Sequence, residues 1–276
     1  MDPVMALRRQ GGIARWRRLQ DAGVTARRLK EAVEAGSVQR IRFGLYAILD
    51  VVAEIAQAKA IGASVGCFSA AAFHGLWVHR PYRGLHVSAP RSVAKPRYGK
   101  VHRTREAHGT VVPIDVCLRQ VLSCFPLREA LVIIESAVVQ GHITVEDARR
   151  LSRGRGSKRA DEVIEAIDPA SMSVPETLAR HVLRSSGYNV VCQRRIEGVG
   201  RIDLEVEGRL LLEIDGKNYH SDEASFTEDR RRWNELTLLG RDLLVLPAGD
   251  ILDDPESILR PVSRYFAGRG VAARAA

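Results

Sequence analysis

Acidic side chains at alternating positions in the last third of the chain are the residues best placed to do chemistry. From Arg201 to Glu207 apolar and acidic residues alternate strictly, which places Asp203 on the acidic face of a strand. The segment from Arg209 to Asp215 alternates in the same way and places Glu213 and Asp215 on one face. Two neighbouring strands are therefore each predicted to carry carboxylates on a single face.

A three-residue turn centred on Gly208 would set Asp203 directly opposite Glu213, with Cβ atoms about 5 Å apart. Like charges at that distance destabilise a hairpin unless a cation lies between them. Carboxylates without a His or Cys partner favour a hard ion, so the predicted cofactor is Mg²⁺ (or Mn²⁺). A solvated polar face of an amphipathic sheet is the alternative. The metal hypothesis fails if these carboxylates are splayed apart or neutralised by a guanidinium.

The surrounding pattern supplies the elements that would position these acids. From residue 173 onward the predicted order is helix, three strands, helix, strand and helix, and the basic stretch SRGRGSKR before it reads as a linker. The length of 276 residues fits two or three domains. We predict an α/β chain of the α+β multidomain type, with a domain at 1–50, a mixed α/β middle region at 51–168, a third domain at 169–268 and a tail at 269–276.

The C-terminal segment resembles a known family over about 90 residues, from VPETLARHVL to GRDLLVLP. Its spaced features are G-x-G-R-I-D, E-I-D-G-K-N-Y-H and D-R-R-R-W-x-x-L-x-x-x-G. They are similar to those of bacterial domains related to the very-short-patch-repair endonuclease, inside the PD-(D/E)xK nuclease superfamily. The resemblance implies the αβββαβ core of restriction enzymes and a metal-dependent endonuclease activity.

The same resemblance assigns roles to individual residues. It makes Asp203 and Glu213 metal ligands, and it places Asp215, a further candidate ligand, where the superfamily usually has its lysine. This departure puts in doubt how the attacking water is activated. Lys217 is expected to supply the missing ammonium, and His220 is the candidate proton-transfer group.

Three further candidates flank this motif. In several families of the superfamily an acid on the first helix completes the metal shell, which is the position of Glu176, although Ser173 to Glu176 is also a capping box. Gln193, on the preceding predicted strand, is expected to orient the attacking water. In the arginine run of the second helix, Arg230 and Arg231 are candidates for contact with the DNA phosphate, and a solvated helix face is the alternative.

The first two thirds of the chain are basic. The net charge is +9, yet residues 169–268 carry thirteen Lys and Arg against seventeen Asp and Glu. From Lys59 to Arg105 there are nine basic residues and no acidic one. This distribution predicts that the first two thirds bind a polyanion while the last third contributes little affinity. A basic surface that only favours solubility is the alternative.

The N-terminal 50 residues predict a winged helix-turn-helix. Thr25 is a good N-cap for a helix from Ala26 to Ala35, and a turn at Phe43-Gly44 separates two strands. The spaced motifs G-V-T-x-x-x-L and R-x-G-x-Y-A resemble the winged-helix domain of AbiEi-type abortive-infection antitoxins, which implies a DNA-binding autoregulator paired with a toxin. A helix-turn-helix used only for protein contact is the alternative. The predicted DNA contacts are Arg27, Arg28, Lys30, Arg40 and Arg42.

The histidines and cysteines predict no metal site. Five of the eight histidines are close together in the sequence, but they have no zinc-type spacing and no nearby Cys or acid to complete a shell. The four cysteines show neither close pairing nor metal-type spacing, which fits a reducing cytoplasm. No apolar run is long enough for a membrane span, and no membrane partner is expected.

We therefore predict a DNA-binding, Mg²⁺-dependent endonuclease that hydrolyses phosphodiester bonds in phage defence or a toxin-antitoxin-like system. The alternative is an antitoxin-like transcriptional regulator with a catalytically silent nuclease-fold domain. An RNA-directed nuclease is a third hypothesis. The expected partners are DNA and a cognate toxin or defence-system protein, and a homodimer is left open.

Overall fold

The computed structural model describes residues 1–80, 84–96, 99–152, 158–215 and 223–269. The chain has the predicted α+β multidomain class, with helices and three separate sheets in these ranges. It forms two compact units. The first contains the described residues of 1–76 and 80–124, and the second contains residues 77–79 and the described residues from 125 onward. The segment 51–168 therefore contributes to both units.

The first unit consists of short helices and two small sheets. Its helices are α1 (Pro3–Arg8), α2 (Trp16–Asp21), α3 (Ala26–Glu34), α4 (Ala53–Ala60), α5 (Cys67–Phe73) and α6 (Ile114–Cys124). Its strands are β1 (Ile13–Arg15), β2 (Val38–Arg42), β3 (Leu45–Ile48), β4 (Ser64–Val65), β5 (His86–Ala89) and β6 (Lys100–Arg103). The sheet orders are β1-β3-β2 and β4-β5-β6.

The N-terminal elements form the predicted helix-turn-helix with a hairpin. Thr25 caps α3, since its Oγ1 accepts a hydrogen bond of 3.4 Å from Arg28 N. Leu29 is the buried residue of α3 and packs with residues of α1 and α2. The antiparallel strands β2 and β3 meet at the predicted turn, where Gly44 has φ 70° and the Phe43 side chain is 89% exposed.

The second unit contains a four-stranded mixed sheet. Its helices are α7 (Leu127–Val139), α8 (Val145–Ser152), α9 (Lys158–Glu165), α10 (Val174–Ser185), α11 (Glu223–Leu238), α12 (Ala248–Asp253) and α13 (Leu259–Ala267), with a 3₁₀ helix at Pro255–Ile258. Its strands are β7 (Val190–Ile196), β8 (Gly200–Val206), β9 (Leu210–Asp215) and β10 (Asp242–Pro247). From α10 to β10 the order is αβββαβ, as predicted.

The sheet order is β10-β9-β8-β7, with β10 parallel to β9 and the other neighbours antiparallel. One face of this sheet packs against α10 and α13 around a core that includes Leu178, Leu204 and Phe266. Trp77 is partly buried and packs against this core, and its backbone N–H donates to Ser136 Oγ at 3.0 Å. None of the helices in the described part of the chain is long and apolar enough to cross a membrane.

A fully buried ion pair joins α7 to α10. Glu135 is 0% and Arg180 1% exposed, and Arg180 Nη2 donates to Glu135 Oε2 at 2.5 Å. Thr177 Oγ1 donates to the other Glu135 oxygen at 2.6 Å, and Arg180 Nη1 donates to Ala166 O at 2.8 Å. Because both charges have several partners, the pair is satisfied within the core.

We expect Glu135→Ala to lower the free energy of unfolding of the second unit by about 3 to 5 kcal/mol, because it leaves the Arg180 guanidinium buried and unpaired. Urea unfolding followed by circular dichroism measures this loss. Glu256→Ala is the matched control. It removes a carboxylate that also lies 2.5 Å from an arginine, Arg128, but is half exposed, so its loss should cost less than about 1 kcal/mol. Equal losses in the two variants would contradict the prediction.

Candidate functional site

The predicted strand register at the acidic hairpin is confirmed. Leu204 pairs with Leu212, and Val206 with Leu210, so Asp203 and Glu213 are the next residues on the two strands. Asp203 Oδ2 accepts a hydrogen bond of 2.8 Å from Ile214 N across the hairpin. The β8–β9 pairing thus brings the first predicted carboxylate beside the strand that carries the second.

Gln193 connects Asp203 to the first helix of the core. Its Nε2 donates to Glu176 Oε2 at 2.9 Å and lies 3.4 Å from Asp203 Oδ1. The Gln193 backbone has φ 52°, a left-handed conformation that costs about 1 to 2 kcal/mol for a residue with a Cβ. This conformation interrupts the regular pairing of β7 with β8 and lets the amide reach both carboxylates.

Glu176 is part of the helix cap and also lies in the cluster of candidate metal ligands, the two roles that its position in the sequence suggests. Ser173 Oγ accepts from Glu176 N at 3.3 Å and donates to Glu176 Oε1 at 2.7 Å, which is the cap of α10. The other carboxylate oxygen accepts from Met172 N at 3.0 Å and from Gln193. The structure therefore brings Glu176, Gln193 and Asp203 together.

Glu213 is bound by a guanidinium, so the expectation of an unneutralised carboxylate pair is wrong at this residue. Arg232 Nη2 donates to Glu213 Oε1 at 2.6 Å and to Arg201 O at 2.7 Å, and Arg232 Nε donates to Val199 O at 3.2 Å. The Arg232 side chain extends from α11 towards the sheet and is 21% exposed. The arginine run was noticed in the sequence, but this partner of Glu213 was missed.

The described carboxylates do not form a ready metal centre. Glu176, Asp203, Glu213 and Asp215 include no group of three ligands that could hold an ion, within the ranges that the structure describes. Asp215 ends β9, where it pairs with Pro247, and Lys217 and His220 lie outside the described residues. The donors fit Mg²⁺ less well than the sequence predicts, and the Mg²⁺ (or Mn²⁺) assignment stays a prediction.

Like-charge repulsion persists in this cluster. Burial and the neighbouring Asp203 charge raise the pKa of Glu176 above its usual value, and burial likewise raises the pKa of Glu213 although Arg232 opposes the shift. A raised carboxyl pKa means that the stabilising contribution is present below the ordinary Glu value and is lost as pH rises through the raised one. The cluster therefore costs stability at neutral pH.

The predicted phosphate-contacting residues of the second unit make local contacts. Arg231 forms a 2.6 Å ion pair with Glu228 and donates to Gly198 O at 3.0 Å. Arg230 lies over the Trp233 ring, 4.9 Å from its centroid. Their role in DNA contact stays a prediction.

The predicted DNA-contacting cations of the first unit are all exposed. Arg27 pairs with Glu31 at 3.4 Å and Lys30 with Glu34 at 3.7 Å, while Arg28 Nη1 donates to Met1 O at 3.4 Å. Exposed pairs one helical turn apart contribute only about 0.3 to 0.5 kcal/mol, so phosphates can replace these acids. On the hairpin, the Arg40 guanidinium lies 5.2 Å from the Phe43 ring centroid, and Arg42 is exposed beside it.

A cationic cavity in the first unit was not identified from the sequence. It has a volume of about 670 Å³, and its lining includes four cationic residues and no acidic one among the described residues. The cations come from β1, α2, α4 and the loop after β5: Arg15, Arg18, Lys59 and Arg91. Burial lowers the pKa of Lys59, and the nearby Arg15 charge lowers it further. The acid-free run that starts at Lys59 was the only sequence signal for this cavity.

We expect Asp203→Asn to lower the pKa values of both Glu176 and Glu213, because it removes the negative charge that raises each of them. Carboxyl ¹³C NMR titration of Glu-labelled protein measures the two values. The control variant Asp215→Asn removes one negative charge from the end of β9. It should shift the pKa values of Glu176 and Glu213 by less than Asp203→Asn does. Unchanged Glu176 and Glu213 titrations in Asp203→Asn would show that these acids are not electrostatically coupled.

The chain is similar to curated proteins, but this similarity does not assign it to a family. No family model matches the chain. Two curated proteins of Mycobacterium tuberculosis are similar to it: "Uncharacterized protein MT2308" of strain CDC 1551 / Oshkosh and "Uncharacterized protein Rv2248" of strain ATCC 25618 / H37Rv. Each is 25% identical over 269 residues, an alignment that covers 88% of this chain and 97% of the relative. The similarity therefore extends over both units.

Proposed function

We propose that the protein binds DNA through its first unit and acts as an antitoxin-like transcriptional regulator. The cationic cavity of Arg15, Arg18, Lys59 and Arg91 carries this proposal, because it gathers four positive charges with no lining acid among the described residues. Such a concave cationic surface focuses positive potential and suits phosphate groups.

The winged helix supplies the rest of the proposed DNA surface. In this architecture the second helix of the helix-turn-helix enters the major groove, which is the position of α3 with its exposed Arg27, Arg28 and Lys30. The β2–β3 hairpin carries Arg40 and Arg42 for phosphate contact. Base-reading and phosphate-binding roles are thus divided between a helix and its flanking cations.

The second unit is catalytically silent in this proposal. Its acids are held by the protein itself, since Ile214 N and Gln193 contact Asp203 and the Arg232 guanidinium binds Glu213. A regulator of this kind would use the αβββαβ unit as a platform for a cognate toxin or defence-system protein.

A metal-dependent endonuclease is the second candidate, and one observation favours it. Glu176, Asp203 and Glu213 carry three formal negative charges, of which Glu213 is paired with Arg232, and the pKa values of Glu176 and Glu213 are raised. Groups perturbed in this way are common at catalytic sites. The αβββαβ order agrees with the nuclease resemblance.

We expect the double substitution Arg18→Ala, Arg91→Ala to weaken DNA binding on all sequences alike, because it removes cations that bind phosphates rather than bases. Fluorescence anisotropy at several salt concentrations measures the effect, and the salt slope should fall by about 0.9 for each phosphate that the variant no longer neutralises. Arg264→Ala, which removes an exposed cation of the second unit, is the control. A salt slope equal to that of the wild type would remove the cavity from the DNA surface.

We expect no Mg²⁺- or Mn²⁺-dependent cleavage of DNA by the wild-type protein, because Arg232 holds Glu213. Incubation with supercoiled plasmid, with labelled single strands and with RNA, each with a chelator control, measures cleavage. Cleavage that disappears in Asp203→Ala and in Glu213→Ala, with DNA binding nearly intact, would instead establish the nuclease. Cleavage of RNA alone would point to the RNA-directed enzyme.

A further inference from the structure

Four potential metal ligands from distant parts of the sequence converge in the first unit. Cys67 is the first residue of α5, His86 opens β5, His102 lies in β6 and Cys124 is the last residue of α6. One ligand atom from each lies within 4.8 Å of all the others. The expectation that no Cys lies near the histidines is therefore wrong, because each of these residues comes from a different element and no short spacing could reveal the group.

Two of the distances between these atoms match those of a tetrahedral zinc site. Zn–N bonds of about 2.0 to 2.1 Å and Zn–S bonds of about 2.3 Å place two ligand nitrogens about 3.3 Å apart, and a nitrogen and a sulfur about 3.6 Å apart. His86 Nδ1 and His102 Nε2 are 3.4 Å apart, and Cys124 Sγ is 3.8 Å from His86 Nδ1. A small adjustment of side-chain torsions would complete the coordination geometry.

The backbone around the ligands is held in place for this geometry. In the parallel β5–β6 pair His86 lies opposite Lys100 and Ser88 opposite His102, which puts both imidazoles on one face of the sheet. Cys67 is 0% exposed and has φ 53°, a strained backbone for a residue with a Cβ. Gln120 Oε1 accepts from Cys67 N at 2.9 Å and from Ser88 Oγ at the same distance.

Two features next to Cys67 and Cys124 are compatible with sulfur ligands of a metal. Lys100 Nζ lies 3.3 Å from Cys124 Sγ, where an ammonium stabilises a thiolate. A Cβ at Gly66 would lie 2.1 Å from Ser88 Oγ, so only glycine allows the close approach that precedes Cys67. Backbone strain at one ligand residue is a feature that clusters at functional sites.

We propose that Cys67, His86, His102 and Cys124 bind one structural zinc ion. Two thiolates and two imidazoles are a ligand set typical of zinc, and four protein ligands leave no open position for catalysis. The ion would fasten α5 and α6 to the β5–β6 pair inside the first unit. This inference does not depend on DNA binding or on cleavage.

The test measures metal in the full-length protein purified without added metal. We expect elemental analysis by mass spectrometry to find about one zinc ion per chain. After removal of zinc, Co²⁺ should give the visible d–d bands of tetrahedral coordination together with thiolate-to-metal charge transfer. His102→Ala and Cys124→Ser should each lose most of the bound zinc, whereas Cys192→Ala, a buried cysteine of the second unit, should keep it.

Two outcomes would overturn the proposal. One is folded wild-type protein, checked by circular dichroism, that holds no zinc and gives no Co²⁺ spectrum at saturating metal. The other is equal zinc content in Cys124→Ser and Cys192→Ala. Because the Co²⁺ spectrum is recorded on the wild type, the proposal stays testable even if a ligand variant does not fold.

Discussion

The ion pair between Arg232 and Glu213 is the interaction on which the properties of the second unit depend. The guanidinium donates to the carbonyl oxygens of Val199 and Arg201, so it is anchored at the start of β8. With it in place, Asp203 and Glu176 are linked through the Gln193 amide and Glu213 is held separately. The residues that the sequence analysis proposes as metal ligands are thus held by hydrogen bonds within the protein.

The two units concentrate charges of opposite sign. The first collects cations around a cavity and on a helix with its hairpin, and burial together with the Arg15 charge lowers the pKa of Lys59 there. The second gathers Glu176, Asp203 and Glu213, whose partners include the backbone N–H of Ile214, the Gln193 amide and the Arg232 guanidinium. The uneven charge along the sequence therefore corresponds to a cationic cavity in the first unit and a cluster of carboxylates in the second.

Periodicity predicted the local structure well, and the tertiary contacts poorly. The hairpin register at Leu204 and Leu212, the Thr25 cap and the αβββαβ order follow from alternation, capping and turn residues, which act over a few positions. The partner of Glu213 could not be predicted, because it depends on which side of α11 faces the sheet. The convergence of Cys67, His86, His102 and Cys124 depends on how four elements pack, which no spacing encodes.

The short stretch Trp77–His79 belongs to the second unit although the residues on both sides of it belong to the first. Trp77 packs in the core around the mixed sheet, and His79 Nε2 lies 2.8 Å from Leu252 O. A gene fragment that starts at residue 125 would therefore encode a truncated core with a gap in it. Exchange of either unit between proteins by a single crossover would be disfavoured for the same reason.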